Sequence, residues 1–316
     1  MIIEYQSYKF VISFLEDAQL PPYKGSTLRG GFGHAFKKAI CVFRDRQCTD
    51  CNLKQTCAYS YIFETSPPGE TSIPGFGQYE AIPHPFVIEP PLDRRTELKT
   101  GEGLEFGLVL IGRAVKYLPY FVLAFERLGE LGIGKGKRKY ALQKVICNEL
   151  NIYEPASRHL TTGSVKQIEI PETYTFDVVE DVVENEELAL HFVTPVRIKY
   201  QRDSVVDLHF YILITNLLRR LFLLNYFHGE GHEPGWDHRE IINEAKKVGI
   251  RLNQLQWHDW ERYSNRQKTR MKLGGLIGDI VYYGPITPFK PLLEAGELLH
   301  VGKGTSFGLG KYIITK

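Results

Sequence analysis

The chain has 316 residues, 43% of them hydrophobic and 24% charged, with a formal net charge of +2. That is material for two modest cores and excludes a disordered or low-complexity chain. The charge balance does not announce nucleic acid; no apolar run is long enough to cross a bilayer, and MIIEYQSYKF has no basic-then-apolar leader, so a cytoplasmic protein with no membrane partner is expected.

Tyr5 to Leu15 alternates well enough to predict a first strand, and LPPYKG (Leu20 to Gly25) reads as a loop. From Ser26, the residues Leu28, Phe32, Phe36 and Ile40 recur at helical spacing, with Ser26 or Thr27 as N-cap. The other face of this helix collects Thr27, Gly30, His34, Lys37 and Lys38, because residues three and four apart are neighbours. Gly30, Gly31 and Gly33 each cost about 1 kcal/mol of helix propensity relative to Ala. Something therefore packs or binds close to that surface, either a neighbouring element or a ligand.

Cys41, Cys48, Cys51 and Cys57 follow, with Cys48 and Cys51 forming a C-x-x-C knuckle. Four thiolates in this pattern suit a tetrahedral, structural Zn²⁺; an Fe–S cluster uses the same ligands, and four free thiols are the plain alternative. Cys147 reads as a small buried residue.

After a Pro- and Gly-rich connection, Pro85 to Pro91 and Leu104 to Gly112 predict strands, Leu118 to Leu128 a helix and Tyr140 to Leu150 a further strand. That order is βαββαβ, the ferredoxin-like unit, over residues 1–150. A polar link, 151–184, leads into a second domain, 185–316. There Leu188 to Tyr200 predicts a strand, and Val205 to Phe227 a long apolar helix that Asp207, Arg219 and Arg220 keep from being transmembrane. His209 is expected to be a satisfied core or interface residue, and His228, His232 and His238 to belong to a solvated loop rather than a metal site.

In RYSNRQKTRMKLGG (Arg262 to Gly275), Arg266, Lys268, Arg270 and Lys272 alternate with other residues, which on a strand puts four cations on one face. With the lysines of the last loop and the KGKRK of Lys135 to Lys139, this predicts a phosphate-binding track. Trp257, Trp260, Tyr263 and Phe307 are aromatics able to stack bases, so single-stranded or hairpin RNA is the expected partner. There is no RNP1 pattern of the standard RNA-recognition domain.

The last stretch, Gly296 to Tyr312 (GELLHVGKGTSFGLGKY), is the densest in glycine, and its backbone can approach a phosphate closely. It has an echo in GELGIGKGKRKY, Gly129 to Tyr140. In both places a strand and a helix precede GEL, Gly-Lys-Gly and a further strand, which predicts an internal duplication. The second copy carries His300 and Phe307, without clear counterparts in the first.

HVGKGTSFGLGKY resembles the glycine-rich loop near the C-terminus of the RAMP superfamily of CRISPR-associated proteins. LPPYKGSTLRGGFGHAFKKAIC, the cysteine cluster and CAYSYIFET are similar to the N-terminal part of one branch of its repeat-cleaving endoribonucleases, the sixth Cas protein. The resemblance implies an α+β chain of two tandem ferredoxin-like domains, here with a small four-cysteine insertion after the first helix. It also implies that the chain binds CRISPR repeat RNA and cleaves it without a metal, leaving 5′-hydroxyl and 2′,3′-cyclic phosphate ends. The RNA-binding residues it implies are Arg29, Arg266, Lys268, Arg270, Lys272 and the loop positions Gly302, Lys303, Gly304, Thr305, Ser306, Phe307, Gly308, Gly310 and Lys311.

Such cleavage needs a base for the 2′-hydroxyl, an acid for the 5′-oxygen and cations for the phosphorane. Histidine suits either proton role. His34, with Tyr23, Lys37 and Lys38 near it, is the first candidate, and His300, at the start of the glycine-rich loop, is its rival. A non-catalytic RAMP subunit that holds crRNA among other Cas proteins shares the glycine-rich loop, and a zinc-containing RNA-binding protein unrelated to CRISPR is a third reading.

Overall fold

The computed structural model describes residues 1–43, 47–65, 72–73, 77–78, 82–176, 186–200, 203–231, 233–259, 261–264, 269–272 and 274–315. They form two compact units. One is built from residues 4–167 with 227–229, the other from 168–226 and 230–316 with 1–3.

In the N-terminal unit the elements run β1 (Ile2–Phe14), α1 (Gly25–Ile40), β2 (Phe86–Glu89), β3 (Gly103–Ile111), α2 (Leu118–Leu131) and β4 (Tyr140–Cys147). The sheet order is β2-β3-β1-β4, antiparallel throughout, which is the ferredoxin-like arrangement of βαββαβ. β1 is central because its alternate side chains Tyr8, Phe10, Ile12 and Phe14 are all buried against the helices. Phe10 sits opposite Phe106 of β3 and Val145 of β4.

The hub of this core is Phe32 on α1. Its ring lies 4.6 Å from that of Phe121, 5.1 Å from Phe36, 5.3 Å from Phe125 and 5.6 Å from Phe86. Each such pair adds about 0.5–1.5 kcal/mol beyond burial, so α1 is fixed by its apolar face despite its glycines. Those glycines now separate by role. A Cβ at Gly31 would meet Leu128 of α2 at 2.8 Å, and one at Gly33 would meet Phe63 at 2.0 Å, whereas one at Gly30 would meet nothing within 4 Å. Two are packing glycines. The third lies on the open face, one turn before His34.

The C-terminal unit repeats the plan with β5 (Glu186–Val196), α3 (Phe210–His228), α4 (His238–Ala245), β6 (Gly249–Asn253), β7 (Glu261–Ser264), β8 (Thr269–Lys272), β9 (Gly275–Gly284), α5 (Lys290–Leu299) and β10 (Tyr312–Thr315). Its sheet order β6-β9-β5-β10 matches the first, with Gln256–His258 also paired to β9. Phe192 packs on Tyr312 at 5.4 Å, and Phe210 on Tyr282 and Phe289 at 5.1 and 5.3 Å.

Two expectations change. Helix α3 begins at Phe210, not Val205, because Lys199–Tyr200 pairs with Asp203–Ser204 just before it. His209 is consequently exposed at the helix start, stacked on Tyr211, rather than a core residue. Of the basic run the described part is β8, which pairs with β7 and carries Arg270 and Lys272 at register positions opposite Tyr263 and Glu261. Arg266, Lys268, Trp260 and His232 lie outside the described residues.

Within the stretch read as a polar link, Tyr153–Glu154 pairs with His159–Leu160. Of the histidines after α3, His228 is its buried last residue and His238 opens α4. Cys147 is buried and accepts from Gln6 Nε2 at 2.8 Å, and burial pushes its thiol up. Among the described residues no helix is long and apolar enough to cross a membrane.

Candidate nucleic-acid interface

The glycine-rich loop is held by its own backbone. Gly302, Gly304, Gly308 and Gly310 all have positive φ, between 71° and 83°. Val301 N donates to Gly310 O at 3.0 Å, Gly310 N to Pro195 O at 3.0 Å, and Lys303 N to Arg197 O at 2.8 Å. Thr194 braces the middle, its hydroxyl donating to Gly308 O at 2.8 Å and accepting from Lys311 N at 2.9 Å. A Cβ at Gly310 would stand 1.8 Å from Val301 O, so no other residue fits there without opening the loop.

This geometry sorts the residues read as RNA-binding. Thr305 and Ser306 are buried in a 3₁₀ turn, Phe307 and Lys311 are half-buried, and Lys303 is exposed. Three further cations converge on Lys303. Burial, then Lys199, Arg197 and Arg219, pull its ammonium below the usual lysine range. None of the three is among the residues the sequence assigns to RNA binding. Arg197 and Lys199 carried a signal, two cations at alternate positions directly after a strand, and Arg219 is a charge on an otherwise apolar helix.

His300 is fully buried. It caps α5 at φ 62°, ψ 168°, and its Nδ1 lies 3.1 Å from Leu309 O across the loop. In this position it pins the loop and has no open path to a substrate. Beside it the buried Arg220 donates through Nε and Nη2 to Leu299 O, the last carbonyl of α5, at 3.1 and 2.7 Å. Burial pulls this guanidinium down to about 9, still protonated at neutral pH. A cation there complements the helix dipole.

In the N-terminal unit the polar face of α1 presents His34 and Lys38 to solvent. Among the described residues His34 has no hydrogen bond or ion pair, and open Gly30 lies one turn before it. Lys37 holds its Nζ 5.7 Å above the Tyr59 ring. Tyr23 is half-buried just before the helix, and burial pushes its phenol well up, so it stays a proton donor. Arg29 is turned from that face: its guanidinium lies 4.2 Å from the Phe63 ring centroid and 2.9 Å from His84 Nε2, while His84 Nδ1 lies 2.9 Å from the Thr65 hydroxyl.

Lys24, read as a loop lysine, is fully buried at the N-cap of α1. Its ammonium donates to the Asp93 carboxylate at 3.1 Å and to Asp93 O at 3.0 Å. Burial alone would raise the Asp93 carboxyl, but hydrogen bonds from Arg95 and Lys24 hold it below the usual range.

Cys41, Cys48, Cys51 and Cys57 line one cavity of about 20 Å³ with Phe43, Lys54, Tyr59 and Ser60. That is room for one water-sized body. All four are unbonded to one another. Burial, and further on Cys41 and Cys57, push the Cys48 thiol up. Among the described residues no three acidic, histidine or cysteine side chains are already at coordination distance. The donor set and single small cavity fit a tetrahedral thiolate metal.

At the level of fold, solved structures with the same two-unit plan include a Cas6 product complex, at a TM-score of 0.56 and 13% identity over 98% of this chain and 100% of that one. Thermus thermophilus Cas6 matches at 0.51 and 12% over 99% of both chains, and a partial Cas6-RT-Cas1–Cas2 complex at 0.55 and 13% over 99% of this chain and 46% of that one. This chain is therefore a tandem ferredoxin-like protein of the kind seen in Cas6.

A family model described as CRISPR-associated endoribonuclease Cas6 matches residues 190–312, and one described as an N-terminal domain matches 3–165. Over residues 190–312 the chain thus matches the Cas6 family, and its whole length has the Cas6 fold. A curated protein of Archaeoglobus fulgidus called uncharacterized is 24% identical over 320 residues, covering 93% of this chain and 92% of that one.

Proposed function

We propose that this chain processes CRISPR repeat RNA as an endoribonuclease, and the convergence of Lys303, Lys199, Arg197 and Arg219 on the glycine-rich loop carries that reading. Four cations within electrostatic reach of one another repel and favour a polyanion. Structures of this fold include a Cas6 product complex and a partial Cas6-RT-Cas1–Cas2 complex, so crRNA and other Cas proteins are its proposed partners.

The reaction proposed is attack of a ribose 2′-oxygen on the adjacent phosphorus. The new P–O2′ bond closes a cyclic phosphate as the P–O5′ bond breaks, a base removes the 2′ proton and an acid supplies one to the departing 5′-oxygen. His34 is the proton-transfer group, Tyr23 a donor, and Lys37 and Lys38 supply charge for the phosphorane. Repeat RNA is expected to be cut in excess EDTA, and a 2′-deoxy sugar at the scissile position to stop the cut. Binding with every RNA left intact would instead identify a non-catalytic RAMP subunit.

Cys41, Cys48, Cys51 and Cys57 are the residues that would hold Zn²⁺. The ion would order the insertion where Cys41 ends α1 and take no part in cleavage. Purified protein is expected to contain about one Zn per chain by elemental analysis, and Cys48→Ser with Cys51→Ser to lose it. An absorbance band in the visible from the same protein would show an Fe–S cluster in its place.

A further inference from the structure

The two glycine-rich stretches are the same structure built twice. Gly132 ends α2 at φ 77°, ψ 155°, as His300 ends α5 at φ 62°, ψ 168°. Gly134 and Gly136 have φ 71° and 78°, their counterparts Gly302 and Gly304 φ 82° and 79°. Lys135 N donates to Gln19 O at 3.0 Å, in the segment between β1 and α1, as Lys303 N donates to Arg197 O, in the segment between β5 and α3. Ile133 N donates to Arg138 O at 2.9 Å, as Val301 N does to Gly310 O. Even the following tyrosines agree: Tyr140 donates its hydroxyl to Phe125 O and Tyr312 to Leu293 O, each on the preceding helix.

The copies differ at the tip. Where the C-terminal loop continues through Thr305, Ser306 and Phe307, the N-terminal loop turns at once through Lys137, Arg138 and Lys139. Lys135, Lys137, Arg138 and Lys139 are all exposed. Only Arg138 has an ion pair among the described residues, with Glu16 at 3.0 Å, whose other oxygen accepts from Lys139 N at 2.9 Å. The loop thus already holds one oxyanion, a carboxylate of its own chain, on a guanidinium and a backbone amide. Among the described residues the three lysines beside it form no ion pair, although Lys139 lies near enough to Glu16 to help lower its carboxyl, and the backbone is fixed at both ends.

We propose that residues 132–139 form a second phosphate-binding loop, which takes the sugar-phosphate backbone of a single-stranded RNA segment through Lys135, Lys137 and Lys139. The proposal rests on the reading that the chain binds RNA and adds to it a contact on the N-terminal unit. Like-charged exposed side chains on a rigid loop gain by releasing counterions from a polyanion, and each phosphate neutralised contributes about 0.7 to the slope of log K against log salt for a single strand.

The test is RNA binding by fluorescence anisotropy, with one repeat extended by spacer on both sides, from about 50 to about 300 mM KCl. Lys135→Ala/Lys137→Ala/Lys139→Ala is expected to weaken binding and to lower the slope by about 2, with the thermal midpoint unchanged. Glu16→Gln removes the internal carboxylate and is expected to tighten binding, the opposite of what a merely loosened loop would do. Lys199→Ala/Lys303→Ala reports on the C-terminal loop. If that variant weakens binding while the triple variant matches wild type in affinity and slope, the second loop is refuted and RNA binding stands. If wild type binds no RNA, both readings fall together.

Discussion

His34→Ala is expected to lower the rate of repeat cleavage by about two to four orders of magnitude, the usual worth of a positioned proton-transfer group, and to leave RNA affinity within about threefold of wild type. The structure makes this a clean substitution. His34 is exposed on the polar face of α1, and the packing of that helix runs through Leu28, Phe32, Ala35 and Phe36 on the other side. Among the described residues nothing depends on its ring for a hydrogen bond, so stability should change by less than about 0.5 kcal/mol. Single-turnover cleavage, binding and thermal unfolding of the same variant separate the roles. Unchanged cleavage would remove His34 from the reaction. His300→Ala is expected to behave differently: it removes a buried ring that holds the glycine-rich loop, so binding and stability should fall with cleavage.

The choice between the two histidines shows where the sequence was legible. Helical periodicity put the core residues of α1 on one face and His34 on the other, because both faces lie within sixteen contiguous residues. The duplicated GEL and Gly-Lys-Gly stretches announced two like units, and aligning them would have set His300 against Gly132, a helix-capping position. Its burial was therefore readable but not read. Other features had no local signal. Arg197 and Lys199, just past β5, and Arg219 of α3 act on Lys303 together, and only the fold brings them there. Likewise LPPYKG reads as an exposed turn, and nothing within it says that Lys24 is buried against a carboxylate 69 positions away.

That buried lysine carries the second large effect. Asp93→Ala is expected to destabilise the N-terminal unit by about 3 kcal/mol, because the Lys24 ammonium then stays buried with only carbonyl oxygens for company. The corresponding fall in the unfolding midpoint is about 6–12 °C. Lys24→Met should cost much less. It removes the buried charge, and Asp93, whose side chain is 36% exposed, keeps water and Arg95. Adding Lys24→Met to Asp93→Ala should therefore restore stability, a sign that simple loss of packing cannot produce. The pH dependence follows from the carboxyl. Its folded value is depressed, so its contribution is complete above the unfolded value of about 3.9 and is lost as pH falls through the folded value. The gap between wild type and Asp93→Ala should hold from pH about 5 to about 8 and close below pH about 4. A gap that persists in acid, or a double variant no better than Asp93→Ala, would show that the N-cap of α1 is not held by this ion pair.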